Sequence, residues 1–126
     1  MAAYGSAGAL LGQARLVLAE AAGAAEVGER FRLAHLAALR IAAAVLAERG
    51  RPASARRRLI SVWVLIDTVA PEFAEWAGYF AAGAPARAAI EAGSRQVVSA
   101  READDQLRAA RDFLELVEPS LGMLAA

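Results

Sequence analysis

The stretch from residue 27 to 50 reads VGERFRLAHLAALRIAAAVLAERG, and it decides the fold because its apolar residues leave almost no continuous polar face. One stripe at helical spacing contains Phe31, Ala34, Ala38, Ile41, Ala42 and Val45. A helix that is apolar nearly all round is packed by neighbours on several sides. Charged residues interrupt the stretch too often for a membrane span, which needs about 20 largely uncharged residues. The sequence therefore predicts a central helix and no membrane-spanning segment.

Helical patterns lie on both sides of this central helix. An amphipathic helix is predicted over residues 10–22, and a third helix from about residue 59 to 69. Residues 62–69 are also rich in β-branched and aromatic side chains, which favour strands. We favour a helix there because the chain contains no second strand candidate to pair with it.

The second half of the chain is predicted to contain three helical pieces. Pro71 begins the first, and Gly83 and Pro85 are predicted to interrupt it, so that residues 85–92 form a short separate piece. Ser99 and Glu102 have the spacing of a capping box, which opens the last helix. The chain is therefore predicted to be all-α, an antiparallel bundle of four to five helices.

The last helix carries apolar residues at alternating steps of four and three, the spacing of a narrow seam. The seam consists of Ala103, Leu107, Ala110, Leu114, Val117 and Leu121. Such a seam forms either a contact between helices of one chain or the face of a dimer, and the sequence alone does not decide between them.

Composition bounds the function classes. With 126 residues, of which 58% are hydrophobic, the chain is predicted to form a single domain over residues 1–126 with an ordered core at about 8–121. The formal net charge of +0 gives no global attraction to nucleic acid or an anionic membrane. There is no cysteine and no secretory signal pattern, so we expect a cytoplasmic protein. One histidine without cysteine predicts no metal site, and the absence of nucleotide-binding fingerprints predicts no cofactor.

Two segments in this order carry a resemblance. The second helix contains AHLAALRIAAAVLAERG, and after a basic loop the chain continues SVWVLIDTVAPEFAEW. Over residues 10–121 the chain resembles the HEPN superfamily of small helical bundles, and within it the short actinobacterial family represented by SAV_6107. The resemblance implies a HEPN-like bundle that forms dimers, with a role either in RNA cleavage or in binding. Ribonuclease members carry an arginine, a polar residue, a few spacers and a histidine near the start of a helix. Residues 57–63, read as RRLISVW, contain arginine there and no histidine, which argues against nuclease activity.

His35 is the only histidine, and it follows Arg30 and Arg32 at the letter spacing of that nuclease motif. In a metal-independent ribonuclease, the arginine would bind phosphate and the histidine would act as general acid or base. However, these residues lie inside the central helix, and Phe31 stands where a polar residue is preferred. We therefore interpret His35 as a core or interface residue. The first hypothesis is a protein without catalytic residues, and the alternative is a ribonuclease that uses His35 with Arg30 or Arg32.

Arginine is concentrated in the stretch after the central helix. The cluster consists of Arg49, Arg51, Arg56, Arg57 and Arg58. It predicts a site for RNA or DNA phosphates, and a solvated loop is the alternative because no aromatic residue is interleaved to stack on bases. A protein partner is the other ligand class considered, and the apolar composition favours a homodimer.

Aromatic residues follow this loop at helical spacing: Trp63, Phe73, Trp76, Tyr79 and Phe80. We interpret them as core, with a ligand pocket as the alternative.

Overall fold

The computed structural model describes residues 6–50 and 60–122. The helices are α1 (Ala7–Gly23), α2 (Val27–Arg49), α3 (Val62–Val69), α4 (Ala74–Glu91) and α5 (Ala100–Ser120), with a 3-10 turn at Pro71–Phe73. No strand occurs in the two described ranges, so the predicted all-α class is confirmed.

α2 is the helix around which the others pack, since it contacts α1, α3, α4 and α5. Only residues 24–26 separate it from α1, and the two helices form a hairpin with the most extensive contact in the molecule. The buried residues of α2 come from most of its circumference: Phe31, Leu33, Ala34, His35, Ala37, Ala38, Ile41, Ala42, Ala44, Val45 and Leu46. The predicted central helix is therefore correct.

Polar side chains define where several helices begin. Ser6 caps α1 and Ser61 caps α3, each accepting a hydrogen bond from an amide of the first turn. Ser99 and Glu102 form the predicted capping box at α5, with hydrogen bonds of 3.0 Å and 2.7 Å. α3 begins at Val62, three residues later than the pattern suggested.

α4 is continuous through the two residues predicted to interrupt it. Pro85 cannot donate to the carbonyl four residues earlier, but both Pro85 and Ala81 are exposed, so water can satisfy that carbonyl. Gly83 is a packing residue and not a stop. A Cβ at this position would lie 3.3 Å from the Phe31 ring and 3.4 Å from the His35 ring. The prediction of a separate piece over residues 85–92 was wrong because the proline lies on the solvent side and the glycine on the buried side.

The seam of α5 faces α2 within the same chain. Its buried members are Ala103, Leu107, Ala110, Val117 and Leu121, and Leu114 is half-buried. Of the two alternatives for this seam, the contact between helices is the one observed. Phe113 adds a fully buried ring to the same face, which joins α5 to the aromatic residues of α4.

Candidate functional site

The only histidine of the chain lies between α2 and α4. His35 is 2% exposed and packs on three rings: it stacks with Phe31 at 6.3 Å between centroids and meets Trp63 and Phe80 edge-on at 6.0 Å and 6.4 Å. We call these four residues the His35 cluster. It forms because Gly83 lets α4 approach α2 closely at this level.

Both ring nitrogens of His35 have neighbours. Nε2 lies 2.8 Å from the carbonyl oxygen of Phe80, which can only accept, so Nε2 carries a hydrogen and donates it. Nδ1 lies 3.4 Å from Nη1 of Arg87 and accepts from it. Arg87 also forms an ion pair with Glu91, whose carboxylate oxygen lies 3.4 Å from the arginine Nε.

Burial lowers the pKa of His35, and this effect exceeds the opposing effect of the hydrogen bond to Phe80. The positive charge of Arg87 lowers the pKa further, while the more distant Glu91 raises it. The imidazole is therefore neutral near pH 7, with its tautomer set by the Phe80 carbonyl.

A small cavity of about 210 Å³ opens beside this histidine. Its walls include His35, Ser61, Trp63, Arg87 and Glu91. The cavity thus combines one neutral imidazole, one arginine paired with a carboxylate, and the first turn of α3. This arrangement can hold a small polar group, but the histidine is already engaged at both nitrogens.

Arg87 and Glu91 were not identified from the sequence as neighbours of the histidine. Arg87 lies 52 positions away from it along the chain. The spacing of four between Arg87 and Glu91 was a visible signal for an ion pair within one helix. Only the continuation of α4 past Pro85 brings that pair to α2, and the sequence pattern had predicted a break there.

The two arginines proposed to act with the histidine have carboxylate partners. Arg30 donates to Asp104 at 2.6 Å and to the backbone carbonyl of Ala24 at 3.1 Å, which joins α2 to α5. Arg32 binds Glu29 through two hydrogen bonds of 3.0 Å and 2.8 Å. The hydrogen bond with Glu29 raises the pKa of Arg32 and lowers that of the carboxyl. Among the described contacts, neither guanidinium binds the imidazole.

Of the five arginines in the arginine-rich stretch, the structure describes Arg49 alone. Arg49 lies 2.6 Å from Glu72 and 5.6 Å from the centroid of the Phe73 ring. The backbone amide of Glu72 and then Arg49 hold the pKa of this carboxyl below its ordinary value. Arg51, Arg56, Arg57 and Arg58 lie outside the described residues. Arg49 therefore ties the end of α2 to the turn before α4.

The aromatic residues divide into two groups. Trp63, Phe73 and Phe80 are buried, as predicted for core residues. Trp76 is half-buried, and Tyr79 is 44% exposed and faces a cavity between α4 and α5. The helical spacing of these residues in the sequence did not show which of them would be buried and which exposed.

Two further properties hold for residues 6–50 and 60–122. No group of three or more His, Cys, Asp or Glu side chains is arranged to hold a metal ion. No helix in this part of the chain combines the length and the apolar character that crossing a bilayer requires.

Comparison with known proteins agrees with this architecture. No curated protein and no solved structure matches the chain. The family model of SAV_6107-like HEPN proteins matches residues 21–118, which extend from the end of α1 to the last turn of α5. Because this match covers most of the sequence, the chain belongs to the SAV_6107-like HEPN family of helical bundles.

Proposed function

We propose that this protein is a non-catalytic HEPN-like binding module, and that it engages the phosphate backbone of RNA or DNA through the stretch from Arg49 to Arg58. The observation that carries the non-catalytic part is the state of His35. A general base must reach the proton it abstracts, and this imidazole is 2% exposed with both nitrogens in contact with other groups.

The sequence supports the nucleic-acid part. Five arginines occur within ten residues, offset only by Glu48 next to them, whereas the whole chain has a formal net charge of +0. Arginine binds phosphate oxygens through two parallel hydrogen bonds and releases counterions, so a local cluster can bind a nucleic acid without a basic protein. Arg49 is engaged by Glu72, so we assign the larger share of binding to Arg51, Arg56, Arg57 and Arg58.

Binding of the purified protein to a mixed pool of short RNA and DNA, at low and raised salt, tests this proposal. We expect salt-sensitive binding that the triple variant Arg56→Ala, Arg57→Ala, Arg58→Ala loses. If residual binding is measurable, its log–log salt dependence should be shallower by about 2 to 3. The matched control is the triple variant Arg101→Ala, Arg108→Ala, Arg111→Ala. It replaces three exposed arginines of α5 and should retain binding. Absence of binding at low salt would contradict the nucleic-acid assignment.

A metal-independent ribonuclease is the second candidate function. The observation that favours it is the contact between Nδ1 of His35 and Arg87 beside an open cavity, since a histidine and an arginine are the groups that such chemistry needs. Arg87 would then take the role first considered for Arg30 or Arg32. Cleavage of the RNA pool in the presence of a chelator, lost in a folded His35→Gln variant, would establish this function and contradict the non-catalytic proposal.

We also infer that residues 1–126 form one helical domain, and that this domain functions in the cytoplasm as a homodimer. The dimer is supported by family membership, since HEPN domains commonly dimerise. Exposed apolar residues on several helices, such as Leu16 at 71% and Val64 at 55%, are compatible with a further contact surface. Sedimentation equilibrium over a range of concentrations measures the oligomeric state, and a monomer at high concentration would contradict this inference.

A further inference from the structure

α4 and α5 follow each other in the chain, yet their backbones have almost no close approach. They meet through aromatic side chains: Trp76 stacks on Phe113 at 5.7 Å, and Phe80 lies 5.4 Å from the same ring. Packed helices lie about 8–10 Å apart along their contact, which brings their backbones close over several turns. The two helix backbones therefore stand farther apart than those of closely packed helices, and we call the space between them the α4–α5 groove.

The groove consists of two cavities, of about 460 Å³ and about 380 Å³. Tyr79 and Asp105 belong to the walls of both, so the two cavities adjoin each other at these side chains. Trp76 and Ala109 line the first cavity, and Val97 and Val98 line the second. Two adjacent cavities beside the same pair of helices suit an occupant long enough to span both, such as a helix.

The floor of the groove is apolar and partly open to solvent. Tyr79 is 44% exposed, and Trp76 has one indole face on Phe113 while its side chain remains half-buried. Leu116, 43% exposed, lies one helical turn beyond Asp112 on α5. Among the described residues, Tyr79 is one of four large hydrophobic side chains with high exposure, and it lines this groove. Exposed aromatic residues in a groove are typical of protein contact sites.

The rim of the groove is acidic. Glu75, Asp105 and Asp112 line the first cavity, and among the described residues that line it Arg108 alone is basic. Asp105 is paired with Arg108 at 2.9 Å and with Arg101 at 3.8 Å, so Glu75 and Asp112 supply the excess negative charge. Burial and then the charge of Asp105 raise the pKa of Tyr79, and Arg108 offsets this only in part. The groove therefore repels phosphates and attracts cationic side chains.

One buried polar group at the groove also lacks a partner. Gln106 is 3% exposed and lines the second cavity, and its Nε2 has no hydrogen-bond acceptor among the described residues. Buried donors are costly to leave unpaired, so most of them in proteins have a partner. Nε2 has almost no accessible surface, so an oxygen of an occupant reaches it only if the Gln106 side chain turns toward the cavity.

We propose that the α4–α5 groove is the docking site for a basic, amphipathic helix of a partner protein. Its apolar side would cover Trp76 and Tyr79, and its lysines or arginines would lie against Glu75, Asp105 and Asp112. Charge complementarity selects this occupant over a nucleic acid or an acidic peptide. This proposal goes beyond the nucleic-acid binding proposed above and does not depend on it.

The test uses two synthetic helical peptides without tryptophan, which share their leucine positions and carry either lysine or glutamate on the polar face. The protein has two tryptophans, and in a Trp63→Phe background the fluorescence reports only Trp76. We expect the lysine peptide to shift the emission of Trp76 to shorter wavelength with saturation, and the glutamate peptide to have no effect. The double variant Glu75→Gln, Asp112→Asn should bind the lysine peptide about threefold to tenfold more weakly than the parent protein.

The matched control variant is Glu48→Gln, Asp67→Asn, which removes the same charge at two exposed positions outside the groove and should bind like the parent protein. Equal binding of the two peptides, no binding of either, or equal weakening by both double variants would overturn the proposal. Displacement of the lysine peptide by spermine at equal concentration would make the site one for small cations. Self-association of the protein alone that Tyr79→Asp abolishes would make the groove an interface between copies of this chain, and would also overturn it.

Discussion

The His35 cluster and the α4–α5 groove both use aromatic residues of α4, but one is closed and the other is open. In the cluster, His35 is 2% exposed, whereas in the groove Tyr79 is 44% exposed. Gly83 allows close contact between α4 and α2 at the cluster, while the backbones of α4 and α5 stand apart at the groove. The difference teaches that the side chains alone do not decide whether an aromatic group becomes core or surface. The separation of the helix backbones decides it.

Phe80 is the ring at which the two regions meet, and its removal should have the largest effect. It is fully buried and contacts Trp63 and Phe113 as well as the histidine. We expect Phe80→Ala to lower the free energy of unfolding by about 3–5 kcal/mol, because a large cavity remains in the core. Urea unfolding measures this change. Tyr79→Ala, the neighbouring residue on the open side, should cost only about 1 kcal/mol. Similar costs for both would show that the groove is as well packed as the cluster.

The sequence was sufficient to predict the helical class and the central position of α2, because an apolar pattern with a period of 3.6 can be read from one segment alone. It was also sufficient for the capping box at Ser99, which depends on neighbours three residues apart. The continuity of α4 was missed, since the effect of Pro85 depends on whether the carbonyl it leaves unbonded faces water. The solvent side of α4 became visible only when its packing against α2 was known.

The candidate site was less predictable than the fold. His35 could be interpreted as a core residue because it stands on an apolar helix, and the structure buries it. Its neighbour Arg87 comes from a distant segment, and Arg30 and Arg32 have carboxylate partners that lie at different distances along the chain. Pairing of charged side chains depends on which helix faces meet, and local spacing contains no information on that. For the same reason, the spacing of Trp76 and Tyr79 could not reveal that the helix facing them stands apart.

Gly83 offers a second way to examine the contrast between closed and open sides. A Cβ there would lie within 3.3–3.5 Å of Phe31, His35 and Gln106, all of them buried. We expect Gly83→Ala to leave the protein about 1–3 kcal/mol less stable than Gly78→Ala does, because both gain helix propensity but only Gly83 has rings that must shift in a packed core. The matched control is Gly78→Ala in the same helix, where nothing lies within 4 Å, and it should stabilise the protein by about 0.5–1 kcal/mol. Thermal unfolding of both variants measures the difference. Equal stabilisation by both substitutions would mean that α4 and α2 are not in close contact at the cluster.

Acidification should lower the free energy of unfolding through His35, and this effect should be smaller than those of the core substitutions. Burial lowers the pKa of His35 in the folded protein, while the unfolded chain keeps the ordinary value of about 6.5. As pH falls through that value, the unfolded chain takes up a proton before the folded protein does, so the free energy of unfolding decreases. The decrease continues until the folded pKa is reached, and its slope cannot exceed about 1.4 kcal/mol per pH unit for one group.

His35→Gln keeps a donor for the Phe80 carbonyl but does not titrate, so the difference between the two proteins isolates the histidine. Urea unfolding at several pH values between about 5 and 7 should show a steeper loss of stability in the parent protein than in the variant, since that interval adjoins the ordinary histidine pKa. Parallel curves would place the imidazole in contact with water and remove the main physical distinction between the cluster and the groove.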